Sequence, residues 1–376
     1  MNKFLFLSLI GLLLSTSHLS AQGCVAIRHF SSGNAISSSG ILQQGEWQVS
    51  SNFRYFKSFR HFRGLEEEPD RIANNSEVIN HSSALDLTIS YGINSRLAAN
   101  FTLPYVINTR SSLYEHGRTE RHSSYSRGLA DSRIGLSAWL FDPTSSPKGN
   151  VSLGLGVKIP TGNWQATDIF YNVGPDGGPQ TRPVDQSIQP GDGGFGATVE
   201  LAVFREIRKG MYFYANGFYL SNPRETNGVR TFRETLSPLL ENEAIMSVPD
   251  QFSMRAGVSI SLAPSLSAGL GARYEGVPVH DLIGGSEGFR RPGNVLSVEP
   301  SLNYTKGSWT LNLLVPVAIR RNRPQSVTDM AIEQMTGSFR NGDAAFADYL
   351  INVTATYRLA SHPINASPLF PQTSQK

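Results

Sequence analysis

The sequence predicts an all-β protein: a transmembrane antiparallel β-barrel of about 12 strands, with short periplasmic turns and long extracellular loops. Three patterns predict it. Apolar and polar residues alternate with period two in run after run, connection lengths alternate between short and long, and aromatic residues gather at both ends of the apolar faces. Composition narrows the alternatives. The single cysteine excludes a disulfide framework and a multi-cysteine metal site. The formal charge is +3, with both signs interspersed and no basic tract, so no nucleic-acid surface is expected.

The chain opens with Met1-Asn2-Lys3, runs apolar from Phe4 to Leu14, and turns small and polar before Leu19-Ser20-Ala21. A short charged start, a short apolar stretch and a small closing residue predict a cleaved signal peptide over 1–21. No later stretch approaches the roughly 18 apolar residues of a membrane-spanning helix. Cys24 follows the signal, but Ala21-Gln22-Gly23 lacks the aliphatic residue of a lipidation site. Residues 22–44 are rich in Ser and Gly, and fit either a plug folded into the lumen or a dangling terminus. The barrel is expected over 45–359, with a periplasmic tail over 360–376.

Val151 to Ile159 illustrates the strands. Its odd positions are aliphatic and its even positions are Ser152, Gly154, Gly156 and Lys158, so one face is apolar and the other small and polar. Twelve such runs lie at about 45–60, 82–93, 96–108, 128–141, 150–162, 193–206, 211–221, 251–262, 266–277, 294–305, 308–320 and 346–359. Each is long enough for a tilted crossing, which takes roughly 9–11 residues. Short turns at Asn94-Ser95, Asp142–Gly149, Arg208–Gly210, Ala263–Ser265 and Lys306-Gly307 alternate with long connections at 61–81, 109–127, 163–192, 222–250, 278–293 and 321–345. This order places both barrel ends on the periplasmic side of a Gram-negative outer membrane. Trp47, Tyr91, Tyr304, Trp309 and Tyr357 fall near the periplasmic ends, and Tyr55, Tyr105, Tyr219 and Tyr274 near the outer ends, as two interfacial girdles.

The opposite faces are expected to line the lumen. They carry Arg54, Asp86, Arg133, Lys158, Glu200, Arg255, Arg273, Glu299 and Arg320, with Glu46, Asp131, Glu275 and Arg358 nearby. Mixed signs give no single-sign selectivity ring. These charges either touch solute or pair across strands as buried ion pairs. Twelve strands lie between the filled bore of about eight and the open channel of about 16–18. Leu155→Arg on the lipid face is expected to cost about 2–4 kcal/mol, and Gly156→Ser on the lumen face little.

Catalytic chemistry is not legible. No histidine sits mid-strand beside a serine, and no nucleophile elbow, phosphate loop or His-Glu-x-x-His element occurs. Glu115-His116 and Glu120-Arg121-His122 read as a solvated loop, and the Asp176, Asp185, Asp192 loop as a shaped external loop without calcium spacing. No enzyme and no cofactor is expected.

Gly128-Leu129-Ala130-Asp131 opens the fourth strand and Ile159-Pro160-Thr161-Gly162 ends the fifth. The pair resembles the Gly-Leu-Gly-Asp opening and Leu-Pro-Thr-Gly ending of a family of outer-membrane transporters associated with the meta-cleavage pathway of phenol degradation. Leu103-Pro104-Tyr105 is similar to that family as well. The resemblance implies a barrel distantly like the long-chain fatty-acid transporters, with hydrophobic or aromatic cargo. Asn352 to Leu359 is similar to a barrel-assembly signal, which implies the barrel-assembly machinery as a partner beside outer-membrane lipid and small solutes. The function expected is a passive channel or transporter for small, hydrophobic or aromatic solutes. The alternative is a non-conducting barrel whose loops bind a partner or ligand.

Overall fold

A computed structural model describes residues 41–359. The signal peptide, Cys24, most of the 22–44 segment and the 360–376 tail lie outside the described residues.

Twelve antiparallel strands form the wall: β1 (Trp47–Arg63), β2 (Ile79–Gly92), β3 (Leu97–Ser112), β4 (His122–Leu129, resuming as Ser132–Trp139), β5 (Gly149–Ile159), β6 (Gly196–Arg208), β7 (Met211–Ser221), β8 (Gln251–Ala263), β9 (Leu266–Val277), β10 (Gly293–Lys306), β11 (Trp309–Leu314, resuming as Val317–Asn322) and β12 (Ala344–Leu359). Each pairs with its sequence neighbour, and β12 returns to β1 in register from Trp47 opposite Leu359 to Phe62 opposite Ala344. The ladder therefore closes and leaves no free edge. Among the described residues, no helix is long and apolar enough to cross a membrane.

Alternation separates the two faces as the sequence predicts. Leu153, Leu155 and Val157 are exposed on the outside of β5, Leu155 at 67%, while Ser152 and Lys158 are buried inside. Leu85, Phe101, Ile134, Leu201 and Leu311 continue the exposed band around the wall. An apolar belt of this extent is stable only against lipid. At the periplasmic rim Trp47 stacks with Tyr91 at 4.7 Å between ring centroids, and Trp309 with Tyr357 at 4.8 Å. Their amphipathic rings mark the headgroup level on that side.

The strands extend further toward the loops than the alternation indicates: β1 reaches Arg63, β3 reaches Ser112, and β4 starts at His122. The extensions are polar on both faces because they stand above the apolar belt, so the period-two signal fades there.

The register also corrects one lumen residue. A bulge opposite Leu296 and Ser297 shifts β11, so that Arg320 pairs with the outward-facing Leu296 and is exposed. Arg321 turns inward in its place and is 8% exposed. One extra residue in a strand inverts every side chain after it.

Candidate functional site

Eight of the nine predicted lumen residues face the interior, in two clusters on opposite walls and one separate arginine. Across β8, β9 and β10, Glu299 receives Arg255 at 3.4 Å and Arg273 at 3.2 Å, and Arg273 also reaches Glu275 at 3.1 Å. Arg255 donates to Asn216 on β7 as well. The pairing links adjacent strands, so these charges brace the wall. On the other wall Arg133 stands within electrostatic reach of Asp86, Glu200 and Asp131. Lys158 is tied to Asp192. Arg54 is buried on β1, opposite Ala84 of β2 and Asn352 of β12.

In the second cluster and along the neighbouring strands the inner face keeps hydrogen-bonding capacity. Both carboxylate oxygens of Asp86, one guanidinium nitrogen of Arg133, and amide atoms of Asn52, Asn303, Asn312 and Asn352 are buried without a hydrogen-bond partner among the described residues. Buried polar atoms in a packed core are almost always satisfied. These atoms form a polar belt on the inner face of the wall.

Above this belt the β5–β6 connection turns into the barrel rather than out of it. Asn108 of β3 donates to the Ile188 carbonyl at 3.2 Å, and Ser126 of β4 donates to the same oxygen. Arg110 of β3 reaches the Ser187 hydroxyl at 3.2 Å. These partners all lie on inward faces, so Asp185–Asp192 crosses the bore as a constriction. The second half of the predicted external loop is thus internal, drawn in by polar side chains that the wall extensions present, while Asp176 in its first half is exposed.

The two sequence motifs fix this loop to the wall. β4 is interrupted at Ala130-Asp131, and the Asp131 carboxylate accepts the N–H groups of Gly162 and Asp192, each at 3.0 Å. Thr161 Oγ1 meets the Ser132 hydroxyl at 2.9 Å. A Cβ on Gly162 would sit 2.8 Å from Gly191 Cα and 2.9 Å from Ala130, so glycine alone fits this crossing. A cavity of about 50 Å³ lies beneath, between Pro104, Ala130, Asp131, Leu220, Met246 and Gln251.

The outer mouth is closed by loops that interlock through ion pairs. Asp185 is shared by Arg110 at 3.5 Å and by Arg291 at 2.6 Å. Burial alone would raise its pKa, but the two guanidiniums and Ser187 hold the carboxyl well below the usual range. Asp343 accepts His61 at 2.6 Å and Arg71 at 2.7 Å. Arg323 pairs with Asp329 at 3.2 Å. These groups surround a second cavity of about 200 Å³ that also carries Tyr114, Phe232 and Phe289. None of this site is periodic in sequence, so strand reading could not find it.

The loop expected to be solvated is buried at Glu115 and His116, while Glu120 stays exposed, with its side chain at 78%. Glu115 is 2% exposed and bonded to Arg110, and His116 is fully buried, accepting the Tyr171 N–H at 3.1 Å. Among the described residues no cluster of three or more metal-ligating side chains occurs.

No family model and no curated protein matches the sequence. The fold resembles an outer membrane channel from Pseudomonas putida F1, with TM-score 0.55 and 9% identity over 88% of this chain and 100% of that one. The shared feature is the fold, a closed twelve-stranded antiparallel β-barrel. A Pseudomonas aeruginosa FadL homologue (TM-score 0.40, 10% identity, 86% of this chain and 96% of that one) and the P. putida toluene transporter TodX (TM-score 0.39, 10% identity, 86% and 92%) are weaker likenesses.

Proposed function

We propose that the barrel is a passive channel for small, hydrophobic or aromatic solutes, gated at the Asp185–Asp192 constriction. The closed twelve-stranded wall with a polar, mixed-charge inner face carries the reading. The aromatic residues of the outer cavity and the sequence likeness to transporters associated with phenol degradation favour aromatic cargo. No coupling element enters the reading, and solute would move down its gradient. Among the described residues that precede β1, Ile41 and Leu42 are buried. Catalysis forms no part of this function.

A second reading is a non-conducting barrel whose loops bind a partner. It is favoured by the ion pairs that lock the loops into one surface. Flux into vesicles with a lipopolysaccharide outer leaflet separates the two, because that leaflet resists apolar solutes without a channel. Entry of a small aromatic alcohol that depends on the folded barrel supports the channel. Its absence, with the loops intact, favours the partner-binding barrel.

A further inference from the structure

The cavity at the outer mouth combines a cationic and an aromatic wall. Phe289 is flanked by two guanidiniums, Arg233 and Arg291, each 4.8 Å from its ring centroid. Phe232, stacked on Phe170 at 6.0 Å and beside Tyr114 at 6.3 Å, forms the other aromatic face.

The charge balance favours an anion. Seven arginines line the cavity against four carboxylates, Asp185, Glu243, Asp329 and Asp343, which leaves 7 − 4 = +3. Glu115 and Asp281 neutralise Arg110 and Arg290 from outside it. Arg71 also has Glu68 at 3.8 Å, but Glu68 is bonded to Arg63, so that addition cancels. One guanidinium remains in excess. It is localised where Arg323 and Arg340 share the single carboxylate of Asp329, at 3.2 and 3.4 Å. Arg340 is held only loosely there, with its side chain 43% exposed. Arg233 and Arg323 each keep a buried Nε without a hydrogen-bond partner among the described residues.

A neutral hydrocarbon would use the aromatic wall and leave the excess guanidinium unanswered. An inorganic anion would do the reverse. The geometry points to a small aromatic carboxylate as the occupant, with its ring against Phe232 and Phe289 and its carboxylate toward Arg340, since Arg233 already holds Glu243 at 2.9 Å. The polar, mixed-charge bore below suits such an amphipathic anion better than it suits a hydrocarbon. This inference rests on the channel reading for its purpose but not for its test, since binding needs no flux.

The experiment is titration calorimetry of the refolded full chain in detergent with benzoate, benzyl alcohol and inorganic phosphate. Benzoate is expected to bind at least tenfold more tightly than either of the others, and to weaken with salt. Arg340→Gln, whose only ion pair among the described residues is the loose one to Asp329, is expected to lower benzoate affinity several-fold and leave benzyl alcohol unchanged. Phe289→Leu is expected to weaken both aromatics and not phosphate. Equal binding of benzoate and benzyl alcohol, equal binding of benzoate and phosphate, or no effect of Arg340→Gln would each overturn the assignment. Aromatic alcohol flux without benzoate binding would refute this inference and leave the channel standing.

Discussion

The Asp131 carboxylate accepts the backbone N–H of Gly162 at 3.0 Å, and through this bond the interruption of one wall strand holds the start of the constriction loop. With the companion bond from the Asp192 N–H, one side chain fixes both ends of the 163–192 connection. The loop position is therefore set by the wall.

Asp131→Asn keeps the shape but removes the charge and one of the two acceptors. Hydrogen bonds to charged groups contribute about 1.5–3 kcal/mol, so the loop should loosen by that order while the barrel stays folded. Faster protease cleavage within 163–192 and increased solute flux are the expected readouts. Unchanged cleavage would show that the loop is held elsewhere.

Asp185→Asn should act more strongly at the mouth. It leaves Arg291 and Arg110 facing each other with Glu115 as the remaining carboxylate on Arg110. Breaking a buried pair typically costs about 3–5 kcal/mol. The loops should open to protease and to hydrogen exchange, with the wall strands still protected.

Faces of the wall can be tested on adjacent residues. Leu155→Arg puts a charge into the lipid belt and should cost about 2–4 kcal/mol. Gly156→Ser is not the mild change the sequence suggests, because a Cβ there would lie 2.6 Å from Thr198 Oγ1 and 2.9 Å from the Ile134 carbonyl. Overpacking of this kind costs about 1–3 kcal/mol. Ser152→Ala, inside the same strand, is the mild control. Urea unfolding in lipid vesicles gives the comparison, and a Leu155→Arg barrel as stable as the control would overturn the face assignment.

These outcomes mark how far the sequence was legible. Strand number, strand order and the lipid face followed from alternation, since each residue between Val151 and Ile159 reports its own face. Arg320 was misplaced because a bulge leaves no trace in composition. Gly156 was misjudged because its crowding comes from Thr198, a neighbour across the sheet. The site above the bore joins Arg110, Asp185, Arg291 and Asp343 from four separate connections and strands, a convergence that local patterns do not encode. The motifs around Asp131 and Gly162 were visible, but their role as a latch was not.

Acid should loosen one loop. Burial and the neighbouring His122 push His116 down to about 4 from its ordinary 6.5. Its folded pKa lies below the unfolded one, so the unfolded loop binds the proton more readily. The contribution of neutral His116 is full above about pH 6.5 and is lost as pH falls toward 4, with a magnitude on the order of 3 kcal/mol. The protection factor of the Tyr171 amide, the unfolded chain's exchange rate at the same pH divided by its own, should fall across that window, and His116→Gln should flatten the profile. A flat profile in the unmodified protein would contradict the burial of this ring.

The central claim is that small aromatics pass through this bore. The most direct measurement is entry of a small aromatic alcohol and of a sugar of similar size into vesicles with a lipopolysaccharide outer leaflet, with and without the refolded protein. The account predicts protein-dependent entry of the aromatic that exceeds that of the sugar and rises further with Asp131→Asn. Protein-dependent entry of neither solute, from a barrel shown to be folded, would contradict it.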